Sequence, residues 1–149
     1  MRDRSLKCII TLAALMLAAC ASIEQEANLV TPSDGTVLAA FGQPYNTGAS
    51  EGIYYELESG DPIRAAAQGV VIFARDWSPV GTMIVIDHTE GVHSFYSGRI
   101  SLKAAEGDTV AKGQIIASGA SAGDEKPVLS FEIRRKGEAL DPGSLIAGL

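Results

Sequence analysis

Imidazole and thiol groups, the most characteristic zinc ligands, are few in this sequence. The chain of 149 residues contains two histidines and two cysteines. His88 and His93 flank a turn at residues 89–91, so a hairpin would place them on neighbouring strands. Asp87 or Glu90 could then complete a metal site with the two imidazoles. We favour the plainer alternative, in which both histidines are ordinary strand residues.

Other catalytic arrangements have even weaker support. Serine is too common in this chain for its spacing to indicate a Ser-His-Asp arrangement. A glycosidase-type pair of carboxylates, drawn from residues such as Glu56 and Glu132, is left open, but nothing specific points to it. The residue types and their spacing therefore identify no enzyme class by themselves.

The first twenty residues resemble a bacterial lipoprotein signal. Three basic residues open the chain, and residues 8–17 form an apolar run that is too short for a good membrane span. The run ends in Leu-Ala-Ala-Cys, which resembles a lipobox with cleavage before Cys20 and lipidation of its thiol. An ordinary signal peptide or a short anchor is the alternative. We predict a signal peptide at residues 1–19, followed by a lipidated cysteine and a short tether at residues 20–31.

Lipidation of Cys20 would have several consequences. Acyl chains would hold the protein on a bilayer, because each buried methylene contributes about 0.8 kcal/mol. The extended tether would reach about 35 Å at roughly 3.3 Å per residue. Ala21, which is not an aspartate, indicates the outer membrane by resemblance to enterobacterial sorting, with the domain facing the periplasm. Because Cys8 would leave with the signal, the mature chain would lack a free thiol for disulfides, zinc or catalysis.

The charge of the mature chain limits its partners. The whole chain has 12 basic and 18 acidic residues. Residues 1–19 contain three basic residues and one acidic residue, so the mature part has 9 and 17, a net charge of −8. Such an acidic domain is a poor candidate for binding nucleic acid or anionic lipid surfaces. It would suit a basic protein partner.

Short strands separated by turns dominate the mature part of the sequence. Apolar or alternating runs recur between Gly, Asp and Ser residues, many of them are β-branched, and no long helical period is present. The expected strands are residues 36–40, 52–57, 62–65, 69–74, 82–88, 92–96, 114–118 and 128–133. The sequence therefore predicts an all-β domain at residues 32–149, with one helical turn after Pro142.

The most informative stretch is residues 127–142. Its alternation places Val128, Ser130, Glu132 and Arg134 on one face of a strand and the apolar residues on the other. The strand contains Phe-Glu-Ile, and a short hairpin then leads to Asp-Pro. This resembles the last strand of the LytM (lysostaphin-type) zinc endopeptidases, which reads His-x-His-Phe-Glu-Ile and leads on to Asp-Pro.

The resemblance to the LytM domain covers nearly all of residues 32–142. An ordered series of short motifs carries it, including Gly-Ile at 52–53, Gly-x-Pro-Ile-x-Ala at 60–65, Ile-x-His at 86–88, Gly-Gln at 113–114 and Phe-Glu-Ile at 131–133. It implies an antiparallel β-sheet or β-barrel-sandwich fold, a duplicated hybrid motif, with almost no helix. It also places His88 where the family often has a histidine that is not a ligand.

Active members of the LytM family hold zinc with a His, an Asp four residues later and the last His of the closing His-x-His. Carried over by position, these ligand places are Ser50, Tyr54 and Ser130. The first His of that pair and a His after the central Tyr assist the zinc-bound water, and their places are Val128 and Gly98. Hydroxyl groups are poor zinc ligands and valine cannot coordinate a metal. The resemblance thus implies a domain with no cofactor and no peptidase activity.

A groove without its metal would remain as a candidate surface for a partner. The residues expected in or near it are Tyr54, Tyr55, Tyr96, Arg99, Ser130, Glu132 and Arg134. Aromatic and arginine side chains are typical interface anchors, although each could equally pack in the core or face solvent. Our first hypothesis is a lipoprotein that binds and activates a peptidoglycan amidase in cell-wall remodelling or division, as degenerate LytM factors do. The alternatives are a peptidoglycan-binding module without an enzyme partner and, less favoured, an enzyme that uses His88 and His93.

Overall fold

Residues 28–147 are described by a computed structural model, and they form thirteen strands and one 3-10 turn. The strands are β1 (Thr36–Ala39), β2 (Pro44–Tyr45), β3 (Gly48–Ala49), β4 (Ile53–Glu56), β5 (Pro62–Arg64), β6 (Gly69–Asp76), β7 (Thr82–Asp87), β8 (Val92–Gly98), β9 (Ile100–Leu102), β10 (Thr109–Val110), β11 (Ile115–Gly119), β12 (Val128–Arg135) and β13 (Glu138–Leu140). The predicted signal peptide and Cys20 lie outside the described residues. Within residues 28–147, no helix is long and apolar enough to cross a membrane.

The strands form three sheets, and every strand pair in them is antiparallel. The largest sheet has eight strands in the order β1-β4-β12-β8-β7-β6-β10, with β13 paired to β12. A second sheet has the order β5-β11-β9, and β2 and β3 pair with each other as a separate hairpin. This architecture confirms the predicted all-β class with almost no helix.

The core joins the inward faces of the two larger sheets. Leu129 and Phe131 of β12 are fully buried in one cluster with Ile63 of β5 and Ile116 of β11. The Phe131 ring lies 5.2 Å from the ring of Tyr96. Every side chain of this cluster lies between residues 29 and 146, so a chain that begins at residue 21 retains the whole cluster and should fold by itself.

Each strand predicted from the sequence is present, with small differences in its bounds. The 3-10 turn at Pro142–Ser144 is also as predicted, and the carboxylate of Asp141 caps it by accepting a hydrogen bond from the Gly143 amide at 2.9 Å. The short hairpin predicted after residues 128–133 is formed by β12 and β13, whereas the sequence analysis missed the short strands β2, β3, β9 and β10. Strands of two or three residues are too short to show an alternating pattern.

Candidate functional site

Strand β12 lies inside the large sheet and organises the candidate site. It pairs with β4 on one side and with β8 on the other, so Ser130 lies opposite Tyr54 and Ser97. Its even-numbered residues from 128 to 134 are half-buried on the outer face, whereas residues 129, 131 and 133 are fully buried. The predicted division of this strand into two faces is therefore confirmed.

The three predicted ligand places lie close together on this outer face. Tyr54 and Ser130 are directly paired across β4 and β12. Ser50 and Tyr54 line one pocket of about 320 Å³, which also includes Glu132. We call this opening the polar pocket; its other lining residues are Tyr45, Asn46, Thr47, Gly48, Ala49 and Glu51.

The groups at these places do not fit a catalytic zinc ion. The buried Ser50 hydroxyl donates a hydrogen bond to the Gly52 carbonyl oxygen at 2.5 Å and accepts one from the Gly52 amide at 3.2 Å. The Tyr54 ring stacks on Tyr45, with the centroids 4.0 Å apart and the planes 25° apart. Catalytic zinc takes imidazole, thiolate or carboxylate ligands. In the part of the chain that the structure describes, no group of three or more His, Cys, Asp or Glu residues could hold a metal ion.

The two predicted assisting places also lack a group that could act on water. Val128 has an aliphatic side chain, and Gly98 lies opposite Leu129 at the end of β8. The φ angle of Gly98 is 141°, and a Cβ atom there would collide with the Val128 carbonyl oxygen. A histidine at position 98 would therefore require a shift of the backbone.

Replacing Gly98 by alanine is expected to lower the free energy of unfolding by about 1–3 kcal/mol. The new methyl group would meet backbone atoms that cannot move aside, and the φ angle would be unfavourable. Gly123→Ala is the matched control, since Gly123 also has a positive φ of 66° but its Cβ would meet nothing within 4 Å. Urea unfolding measures both variants, and equal losses would show that the collision contributes nothing.

Arg134 connects the polar pocket to the rest of the sheet face. Its Nε donates a hydrogen bond to Glu132 at 2.9 Å, its Nη1 donates to the Gly137 carbonyl oxygen at 3.2 Å, and its Nη2 forms an ion pair with Glu51. The hydrogen bond to Glu132 is the main cause that raises the pKa of Arg134. The guanidinium also lies 5.9 Å from the centre of the Phe95 ring.

A second, apolar opening adjoins the polar pocket on the outer face of β6, β7 and β8. This apolar groove has a volume of about 550 Å³ and is lined by Ile72, Phe73, Trp77, Met83, Val85, His93, Phe95, Arg134 and Gly137. The Trp77 side chain is 53% exposed and meets the Phe73 ring edge to face at 5.5 Å. Sequence analysis missed this groove, although the apolar outward positions of residues 69–77 were a usable signal.

Two residues predicted to lie in the groove are in the core instead. Tyr55 and Tyr96 are 1% and 0% exposed. The Tyr96 hydroxyl accepts a hydrogen bond from the Ala66 amide at 2.8 Å, and burial raises the pKa of Tyr96 to about 12. Burial also raises the pKa of Tyr55. The prediction that these tyrosines lie in or near the groove was wrong, and the alternative of core packing holds, because each one points to the inward face of its strand.

The other predicted groove residues are half-buried or exposed, and one of them, Arg99, is not among the residues that line either opening. Tyr54 and Glu132 line the polar pocket, and Ser130 pairs with Tyr54 beside it. Arg134 lines the apolar groove. Arg99 lines neither opening and forms an ion pair with Glu125 at 2.7 Å.

The two histidines have separate roles. His88 Nδ1 lies 2.7 Å from the Gln68 carbonyl oxygen, which can only accept a hydrogen bond, so this nitrogen carries the proton. The other ring nitrogen, Nε2, therefore accepts from the Ser94 hydroxyl at 2.7 Å. His93 lies 3.8 Å from Asp87 on the neighbouring strand. Both nitrogens of His88 are engaged within the domain, which leaves neither for a metal ion.

The free energy of unfolding is expected to fall as the pH drops below about 6.5. Burial is the main cause that lowers the pKa of His88 from 6.5, while the charges of Asp87 and His93 act in opposite directions. As the pH falls, His88 therefore takes up a proton in the unfolded chain before it does so in the folded domain. The stability that neutral, half-buried His88 contributes is present above pH 6.5 and is lost in acid. Urea unfolding at pH 7.5 and at pH 5.5 measures this loss. Between these two pH values, the free energy of unfolding should decrease less for His88→Gln than for His93→Gln. Equal decreases in the two variants would contradict this assignment.

Comparison with known proteins decides the family. The family model of Peptidase family M23 matches residues 48–142, which is more than half of the chain. The chain belongs to peptidase family M23. This assignment confirms the LytM-type resemblance drawn from the sequence. A putative peptidase M23 from Pseudomonas aeruginosa of known structure has the same fold, with a TM-score of 0.69 and 22% identity over 83% of this chain and 52% of its own.

Two relatives of this M23 chain carry names that bear on function. A lipoprotein NlpD/LppB homolog from Pseudomonas aeruginosa is 35% identical over 112 residues, which are 74% of this chain and 37% of the relative. The murein hydrolase activator EnvC from Escherichia coli is 38% identical over 94 residues, which are 62% of this chain and 22% of the relative. The M23 chain thus spans well under half the length of these relatives.

Proposed function

We propose that this M23 domain is a non-catalytic regulator that binds and activates a cell-wall amidase or a related peptidoglycan hydrolase. The proposal rests on the match of residues 48–142 to the M23 family, together with the carry-over by position that puts Ser50, Tyr54 and Ser130 at the ligand places, a donor set unsuited to zinc. The murein hydrolase activator among its relatives supports the same role. Activation of a hydrolase would give the domain a part in cell-wall remodelling or division.

The docking surface in this proposal combines the polar pocket and the apolar groove. Arg134 lines the groove and bonds to Glu51 and Glu132, which line the pocket. Exposed Trp77 supplies a large aromatic surface in the groove. Interfaces typically have an apolar centre with aromatic and arginine anchors and a polar rim. This sheet face has all of these parts.

The site of action that we propose is the cell envelope. The lipobox at Cys20 would anchor the mature chain, with residues 1–19 removed and residues 20–31 as a tether. The relative named as a lipoprotein supports this placement. Ala21 after the cysteine favours the outer membrane, with the domain facing the periplasm.

Metal content and hydrolase activation test the proposal together. Elemental analysis of the chain from residue 21, purified without a tag at neutral pH, is expected to give close to zero zinc per chain. The same protein should release no fragments from purified sacculi alone and should accelerate their digestion by a co-resident amidase. One zinc per chain with cleavage of sacculi would make the protein a peptidase. A metal-free protein that neither binds nor stimulates any co-resident amidase would end the activator proposal.

The polar pocket favours peptidoglycan binding as a second candidate function. Its hydroxyl, amide and carboxylate groups, such as those of Asn46, Thr47 and Glu51, could form hydrogen bonds to sugar or peptide. Sedimentation with purified sacculi distinguishes the candidates, since a peptidoglycan-binding module would enter the pellet without any hydrolase present. Absence from the pellet would exclude this function.

A further inference from the structure

The hairpin of β2 and β3 lines the polar pocket but is separate from the large sheet. It pairs with no other strand that the structure describes. Tyr45 at the end of β2 is half-buried, whereas residues 46–49 are exposed, and all of them line the pocket. The hairpin therefore forms one wall of the polar pocket while burying little of its own surface.

Two side-chain contacts hold the hairpin region against the sheet. The Tyr45 ring stacks on the Tyr54 ring of β4 at a centroid distance of 4.0 Å. Glu51, immediately after the hairpin, forms an ion pair with Arg134 of β12. The Glu51 side chain is 63% exposed, so solvent and salt weaken this pair.

The base of the hairpin is fixed more firmly than its tip. The Gly42 amide donates to the Ser50 carbonyl oxygen at 2.8 Å, and the Ser50 amide donates to the Gln43 carbonyl oxygen at 2.8 Å. Ser50 is buried, and Gly42 has a positive φ of 77°. Residues 44–49 project beyond this base and pair only with one another among the strands that the structure describes, so they can move against the sheet while the base stays in place.

The strength of the two contacts suits a lid that a partner can open. A single aromatic stack, like a single exposed ion pair, shifts the equilibrium between a closed and an open position by about two- to tenfold. A closed state held by such contacts dominates in the free protein, yet a partner that binds only the open state can displace it. The strands of the large sheet, with buried apolar side chains along their length, offer no comparable freedom.

We propose that the hairpin is a lid over the polar pocket, closed in the free protein by the Tyr45–Tyr54 stack and braced at its base by the Glu51–Arg134 ion pair. The hydrolase contacts Tyr54 and Glu132 only when the lid is open. The identity of this partner rests on the proposed function, whereas the closed lid does not.

Nitration of tyrosine by tetranitromethane tests the lid without any partner. The chain from residue 21 is treated, and the rate at Tyr54 is measured by mass spectrometry. Glu51→Gln, which removes one contact but leaves the stack in place, is expected to nitrate at Tyr54 about two- to fivefold faster than the wild type. Glu125→Gln, which removes the similarly exposed ion pair with Arg99, should leave that rate unchanged.

The buried Tyr96 is the internal reference in this assay, since it should remain unreactive in each variant that keeps its fold. Equal rates at Tyr54 in the wild type and Glu51→Gln, with Tyr96 protected, would overturn the lid. A rise at Tyr54 in Glu125→Gln as large as in Glu51→Gln would also overturn it, because the effect would then not depend on the latch.

Binding of a co-resident amidase tests what the lid controls. Tyr45→Ala is expected to tighten binding of the amidase about three- to tenfold, because the stack would no longer stabilise the closed state relative to the open state that the amidase binds. Tyr45→Phe keeps the stacked ring and should bind as the wild type does. Weaker binding of Tyr45→Ala would show that the hairpin is a contact surface, which overturns the lid. If no amidase binds any variant, the proposed function fails while the nitration result still decides the lid.

Discussion

Replacing Trp77 by alanine is expected to weaken binding of the hydrolase partner by at least tenfold, about 1.4 kcal/mol or more. Trp77 lines the apolar groove with 53% of its side chain exposed in the free domain, so a partner can bury a large aromatic surface there. Removal of the side chain should leave the fold unchanged, since Trp77 is not part of the core cluster. Titration calorimetry with a co-resident amidase measures the change in affinity, and urea unfolding confirms the fold.

Val80→Ala is the matched control for this variant. Val80 belongs to the same connection between β6 and β7 and is 52% exposed, but it is not among the residues that line the groove. Its truncation should change the affinity less than twofold, as expected for an apolar residue outside the contact. Wild-type affinity in Trp77→Ala would remove the groove from the docking surface. Equal losses in both variants would assign the effect to the connection as a whole.

The parts of this fold that the sequence predicted have strong local signals. Strand β12 is long enough for its alternation of apolar and polar residues to be visible in the sequence. That alternation alone places Ser130 and Glu132 on the same face. The turn at Lys136 and Gly137 and the Asp141 cap before Pro142 likewise depend on residues close in sequence. For these elements, the residues that determine the local structure all lie within one short segment of the chain.

The candidate site was harder to predict because its contacts join distant segments. Arg134 bonds to Glu51, which is 83 positions away in the sequence, and no local pattern indicates that pair. The hairpin that carries Tyr45 has strands of only two residues, so periodicity could not reveal it. Tyr55 was assigned to the groove by residue type, although alternation with Tyr54 allows only one of the two to face outward.

Placing the family's three ligand types at the predicted ligand places is expected to create a site that binds about one zinc ion per chain. The triple variant Ser50→His, Tyr54→Asp, Ser130→His provides three protein ligands and leaves the fourth position for water. Tyr54 and Ser130 are paired across adjacent strands, and Ser50 and Tyr54 line one pocket, so the new groups should converge. Zinc at 100 times its dissociation constant would raise the free energy of unfolding by about 2.7 kcal/mol. Elemental analysis and thermal unfolding with and without zinc measure both effects.

The restored site should still fail to cleave sacculi, because Val128 and Gly98 offer no group to assist a zinc-bound water. A control with Ser101→His in place of Ser130→His has the same composition, but its last histidine is on β9 of the other large sheet. This control should bind zinc far more weakly, since only two of its three introduced ligands lie at the pocket. Equal zinc content in both triple variants would mean that Ser130 is not a ligand place. Zinc bound without cleavage by the first variant would separate the part that the ligand places play in metal binding from the part that the assisting places play in catalysis.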